Sequence, residues 1–118
     1  MGFQSFWSEF RQAVIDNDKA KIASMTRFPF KVRGLADSDP VKQYDRTGFL
    51  SIYERLVVQR VYLPEAGHIV AKSMRELIAG KSDITPEDFL TKNVVRFQQF
   101  EFERSKGRWW FTRAYLEE

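Results

Sequence analysis

The sequence predicts one α+β domain whose C-terminal end is a long, aromatic-rich antiparallel β-hairpin. Three observations lead there. The chain has 118 residues, enough to bury one core without disulfides or metal and too few for two domains. Residues 3–16 carry apolar side chains at helical spacing. Residues 94–104 and 108–116 are β-prone runs separated by Ser105-Lys106-Gly107.

Phe3, Trp7, Phe10 and Val14 recur at intervals of four and three, with Phe6 and Ala13 beside them and Glu9, Arg11 and Gln12 opposite. This is the stripe of an amphipathic helix, with Ser5 as its N-cap. Asn17-Asp18 interrupts it, and the Asp18 carboxylate is placed to accept the free N–H groups of Lys19 to Lys21, opening a second helix through about Met25. Phe28-Pro29-Phe30-Lys31-Val32-Arg33-Gly34 alternates, but Pro29 cannot donate to a ladder, so the segment reads as a short edge strand or extended lead-in. Ala36 to Pro40 is a loop, and Val41 to Tyr44 a short strand. Thr47 caps a helix through about Val57, with Phe49, Leu50, Tyr53, Leu56 and Val57 on one face. Residues 58–80 carry the weakest pattern, and Ile69 to Ile78 reads as helix. Thr85-Pro86-Glu87-Asp88 combines a cap, proline at the first helical position and early acids, which predicts one or two helical turns before β-prone Val94-Val95.

Gly107 supplies the positive φ of a tight connection, so the hairpin's register turns on loop parity. An even loop pairs Arg104 with Trp109, Phe102 with Phe111 and Phe100 with Arg113, which places Phe100, Phe102, Trp109, Phe111, Arg113 and Tyr115 on one face. Glu101, Glu103, Trp110 and Thr112 then share the other. An odd loop would mix polar and apolar residues on both faces. The even loop is therefore expected, with the first face toward the helices and the second toward water or a partner.

Composition narrows the function classes. Eleven Phe, three Trp and four Tyr form an aromatic excess that must fill a core, a pocket or an interface. Without cysteine there is no thiolate metal site and no thiol nucleophile. The net charge of +3 is spread among 19 cations and 16 acids without a basic run, so no nucleic-acid partner is expected. No apolar run reaches the length of a membrane span, and no signal-peptide pattern opens the chain. Helical patterning that begins at Phe3 fits an extracytoplasmic protein whose targeting segment was trimmed, and equally a cytoplasmic start.

The Phe/Trp-rich leading helix, the short helix after Asn17-Asp18, the extended Arg27-Phe28-Pro29-Phe30-Lys31-Val32 and the closing Gly107-Arg108-Trp109-Trp110-Phe111 together resemble the nuclear-transport-factor-2-like superfamily, or cystatin-like cone folds, in its bacterial branch. The resemblance covers residues 3–34 and 94–118. It implies helices packed in the concavity of a strongly curved antiparallel sheet, often around an apolar pocket, and frequently a dimer through the sheet. Members include enzymes and non-catalytic binding domains, so the fold says little about activity.

No catalytic constellation stands out. His68 is the one histidine, set in a loop-like Glu65-Ala66-Gly67-His68. Acid–base chemistry of the ketosteroid-isomerase kind would need a carboxylate and a tyrosine in an apolar pocket, for which Asp45, Tyr44, Tyr53 and Tyr115 are the available groups. Asp45 beside Arg46, before a helix, reads better as a turn residue. Asp37, Asp39 and Asp45 lack calcium-loop spacing. Neither cofactor nor metal is expected.

Arg113, on the aromatic face, either reaches solvent at the sheet rim, pairs with a helix acid or meets an anionic ligand. Phe100, Phe102, Trp109, Phe111, Arg113 and Tyr115 are thus the candidate ligand-binding residues, and Trp110, Glu101 and Thr112 the candidate interface. The reading is a non-catalytic domain binding a small apolar or anionic molecule or a protein. The alternatives are a cofactor-free isomerase, dehydratase or hydrolase, or an inhibitor capping a partner enzyme.

Overall fold

A computed structural model describes residues 2–116. Helix α1 (Phe3–Ile15) buries Phe3, Trp7, Phe10, Ala13 and Val14, the face set by the four-and-three spacing. Its N-cap is Gly2 with no side-chain cap, and Ser5 lies inside the first turn. Helix α2 (Lys19–Ser24) is capped as expected, the Asp18 carboxylate accepting the Lys21 N–H at 3.1 Å. Strand β1 (Thr26–Arg33), strand β2 (Val41–Tyr44) and helix α3 (Arg46–Val58) follow. Asp45, not Thr47, caps α3 by accepting the Gly48 N–H at 2.8 Å.

The segment with the weakest pattern departs most from expectation. Residues 69–78 are not one helix: strands β3 (Arg60–Glu65) and β4 (His68–Ser73) form a separate two-stranded hairpin, and helix α4 (Met74–Ala79) starts only afterwards. Ala66 and Gly67, at φ 50° and 82°, make the turn. Two successive residues with positive φ give the backbone twist that matches a hairpin's strands. Ser73 and Glu76 form a capping box that fixes where α4 begins.

A single 3-10 turn (Pro86–Asp88) leads into β5 (Phe89–Thr91), β6 (Val94–Phe97), β7 (Phe100–Ser105) and β8 (Arg108–Tyr115). Thus the run 94–104 is two strands, folded back at Gln98-Gln99, with Gln98 at φ 53° and Phe97 paired to Phe100. The closing hairpin has the expected even loop: Ser105 pairs with Arg108 across Lys106-Gly107.

Helices α1 to α4 and the β3–β4 hairpin accompany a curved six-stranded sheet in the order β2-β1-β8-β7-β6-β5. Its pairs are antiparallel except β1 with β8, which run parallel, so the sheet is mixed. Strand β1 is therefore interior, not an edge. It tolerates Pro29 because its β2 pairing begins only at Phe30 and its β8 register is broken between Thr26 and Lys31. Among the described residues no helix is long and apolar enough to cross a membrane.

Candidate functional site

The concave side of the sheet is filled. Phe10 of α1 lies 5.1 Å from both Phe102 and Phe111, centroid to centroid, and Phe3 lies 4.8 Å from Trp109. Phe100 and Phe111 are 4.8 Å apart, and Phe30 and Phe49 continue the ring cluster toward α3. These edge-to-face and tilted contacts are those of a close-packed aromatic core. Phe100, Phe102, Trp109 and Phe111 therefore do face inward as the register requires, but they pack on α1 and α3 rather than around an open chamber.

Arg113 and Tyr115 are not on that face. Phe102 pairs with Phe111, yet Glu101 pairs with Arg113 and Phe100 with Ala114, so one residue on β8 is extra. That residue is Thr112, whose hydroxyl donates to the Glu101 carbonyl at 3.4 Å. A β-bulge of this kind reverses the alternation beyond it. Ala114 becomes the inward residue, and Arg113 and Tyr115 turn to the outer face with Glu101 and Trp110. Thr112, expected outside, is itself 3% exposed.

The outer face so assembled is basic and aromatic. Lateral register places Lys31, Arg113, Glu101 and Arg96 side by side across four strands. In the next row Arg33 pairs with Tyr115. The Arg96 and Arg33 guanidinium carbons stand 4.2 Å and 5.1 Å from the Tyr115 ring centroid, approaching from the β6 and β1 sides. Tyr115 is consequently only 5% exposed although it lies outside the core, and its hydroxyl donates to Glu101 at 3.5 Å. Toward the closing turn, Arg108 covers Trp110 at 4.0 Å and Arg27 pairs with Glu103 at 3.6 Å.

Six cations, Arg27, Lys31, Arg33, Arg96, Arg108 and Arg113, thus share this face with two carboxylates, Glu101 and Glu103. Among the described residues that leaves thirteen cations against twelve acids elsewhere, so most of the positive excess sits here. Arg33 also meets Asp37 of the adjoining loop at 3.4 Å, and Arg96 donates to the Gln98 carbonyl. Arg113 and Lys31 have no hydrogen bond or ion pair among the described residues. Guanidinium and ammonium groups so placed are donors for charge-assisted hydrogen bonds to carboxylates or other anions.

Lys31, Arg33 and Arg108 do not enter the sequence-based site. The alternation of Arg27, Lys31 and Arg33 along β1 was the available sign, and it pointed outward only once β1 was known to be interior. Two clefts adjoin the face, one reached by Arg33 and the other by Arg108. One of about 380 Å³ is bounded by Val32, Leu35, Pro40, Lys42, Tyr44 and Leu116. Another of about 280 Å³ lies between α1, α2 and the closing turn, beside Phe6, Lys21 and Trp109. Asp45 is occupied as the α3 cap, and His68 is exposed beside the β3–β4 turn. No group of three or more metal-ligating side chains occurs among the described residues. No protein-family model, no curated protein and no solved structure matches this chain.

Proposed function

We propose that the chain is a non-catalytic binding domain of the nuclear-transport-factor-2-like kind, and that it takes its partner on the outer face of the sheet. The observation that carries this reading is the pair Lys31 and Arg113, neighbouring cations on adjacent strands, neither of which makes an ion pair among the described residues. Arginines arranged around Tyr115 and Trp110 add the residue types that most often dominate protein interfaces. The helices lying in the concavity of a curved six-stranded sheet support the family reading. Because α1 fills that concavity, an apolar ligand buried there would have to displace Phe3, Trp7 and Phe10.

A second reading has its own observation. The 380 Å³ cleft beside Lys42 is of the size that small ligands occupy and would suit a small anionic molecule. Affinity capture from the native host, run with the wild type, Lys31→Glu/Arg113→Glu and Lys42→Glu, separates the two. A partner lost only with the double variant supports the sheet face. A partner or ligand lost only with Lys42→Glu moves binding to the cleft, and equal recovery by all three sinks both readings.

A further inference from the structure

We infer that the outer sheet face docks onto an acidic surface of a different protein, not onto a second copy of this chain. This deepens the sheet-face reading above and rests on it. A symmetric dimer through the sheet would set the same patch against itself. Among the described residues, six cations and two carboxylates would then meet six cations and two carboxylates, an arrangement that like-charge repulsion disfavours. Lys31 and Arg113, which make no ion pair among the described residues, sit on neighbouring strands about 4.8 Å apart. That spacing lets one or two partner carboxylates bridge them, the arginine in its two-pronged mode.

The same face is poorly made for nucleic acid. Single-stranded DNA and RNA are gripped by stacking bases on open rings. Here Tyr115 is closed off between Arg33 and Arg96, and Arg108 lies over Trp110. Glu101 and Glu103 occupy the central strand β7, where a phosphate backbone crossing the cations would pass. Against a protein those two carboxylates are acceptors for a partner's own donors, so a mostly acidic surface with scattered cations is complementary.

Fluorescence anisotropy tests this with two labelled probes of equal charge, a glutamate-rich peptide and an oligothymidylate, on the full chain. The peptide is expected to bind more tightly, to weaken as salt rises from about 0.05 to about 0.5 M, and to lose about tenfold in affinity with Lys31→Ala/Arg113→Ala. Neither side chain makes a hydrogen bond or ion pair among the described residues, so that variant should fold; Arg96→Ala provides an independent loss of affinity. Arg60→Ala/Lys72→Ala, which removes two cations from the separate β3–β4 hairpin, should change affinity by less than about twofold. Tighter oligothymidylate binding that the face variant abolishes overturns the acidic-protein inference while leaving the face as a binding surface. Sedimentation showing a low-salt dimer that Lys31→Ala/Arg113→Ala or Trp110→Ala alters overturns it in favour of self-association. Probe binding insensitive to both Lys31→Ala/Arg113→Ala and Arg96→Ala overturns the inference and the sheet-face reading together.

Discussion

Trp110 and Phe111 are adjacent in sequence, yet one is half-buried on the outer face under Arg108 and the other is sealed among Phe10, Phe30, Phe49 and Phe100. Truncating Phe111 to alanine removes a ring whose neighbours cannot close the gap, so a loss of about 3–5 kcal/mol is expected in urea unfolding. Trp110→Ala should lose no more than about 1 kcal/mol, because its ring is partly in water in the folded state. Comparable losses at both positions would mean that the two faces are assigned wrongly. Tyr53 presents a different case. Its ring packs on Phe49, but its hydroxyl is buried with no hydrogen-bond partner among the described residues. Burial pushes the phenol well above its ordinary 10. Tyr53→Phe removes an unsatisfied group and should raise stability by about 1 kcal/mol, read as a higher thermal midpoint. In the wild type the unfolded phenol loses its proton first as pH rises, so stability is full below pH 10 and declines above it; in Tyr53→Phe that part of the decline disappears.

Parity of the closing loop was legible because it depends on local chemistry, with Gly107 and the flanking alternation agreeing. The bulge at Thr112 was not, since one extra residue in a ladder leaves no mark in a pattern of alternating residues. That single residue moved Arg113 and Tyr115 across the sheet. The middle of the chain failed for another reason: Val58 to Ser73 alternates poorly because one face of the β3–β4 hairpin packs on the core while the other leaves Tyr62 and Ile69 65% and 64% exposed. Two signs in that segment could still have been used, Ala66-Gly67 as a turn and Ser73 to Glu76 as a capping box. Both give predictions. Ala66 pays the left-handed strain of an L-residue at φ 50°, so Ala66→Asn, which makes the favoured Asn-Gly turn, should stabilise the protein by about 1 kcal/mol. Ser73→Ala should cost about 1 kcal/mol at neutral pH. The bonds from Ser73 hold the Glu76 carboxyl below its ordinary 4.5. On acidification the unfolded chain therefore takes up the proton first. The box's ionic contribution is full above about that value and is lost as pH falls through the folded one, so the gap between wild type and Glu76→Ala, which removes the carboxylate that accepts the Ser73 N–H, should narrow in acid. A gap that stays constant down to the acid transition would show that the Glu76 carboxylate adds nothing to the cap.

The fold turns a sequence with no basic run into a molecule with one basic face. Cations from 27–33 in β1, from β6 and from β8 are far apart in the chain, and only the strand order β1-β8-β7-β6 sets them side by side. Composition could report the +3 excess, but its location depended on pairings between strands some eighty residues apart, which single-sequence periodicity does not encode. The same topology divides the molecule into a rigid and a labile part. Strands β1, β8 and β7 are each paired on both sides and roofed by α1 and α3, whereas β3 and β4 pair only with each other. Val61 and Leu63 tie that hairpin to the core, but its outer edges donate to nothing in the sheet. Opening it exposes little apolar surface, while opening the central strands requires the aromatic core to part. Native-state amide exchange should therefore be slowest at Phe102, Phe111 and Val32, where it reports global unfolding, and faster across 60–73 by several orders of magnitude. The basic face lies on the slow part. If it docks as a preformed surface, partner binding should leave exchange in the central strands governed by global unfolding and slow it further in proportion to the stability gained. Slowing confined to residues 60–73 would instead assign the partner to the exposed Tyr62 and Ile69 surface.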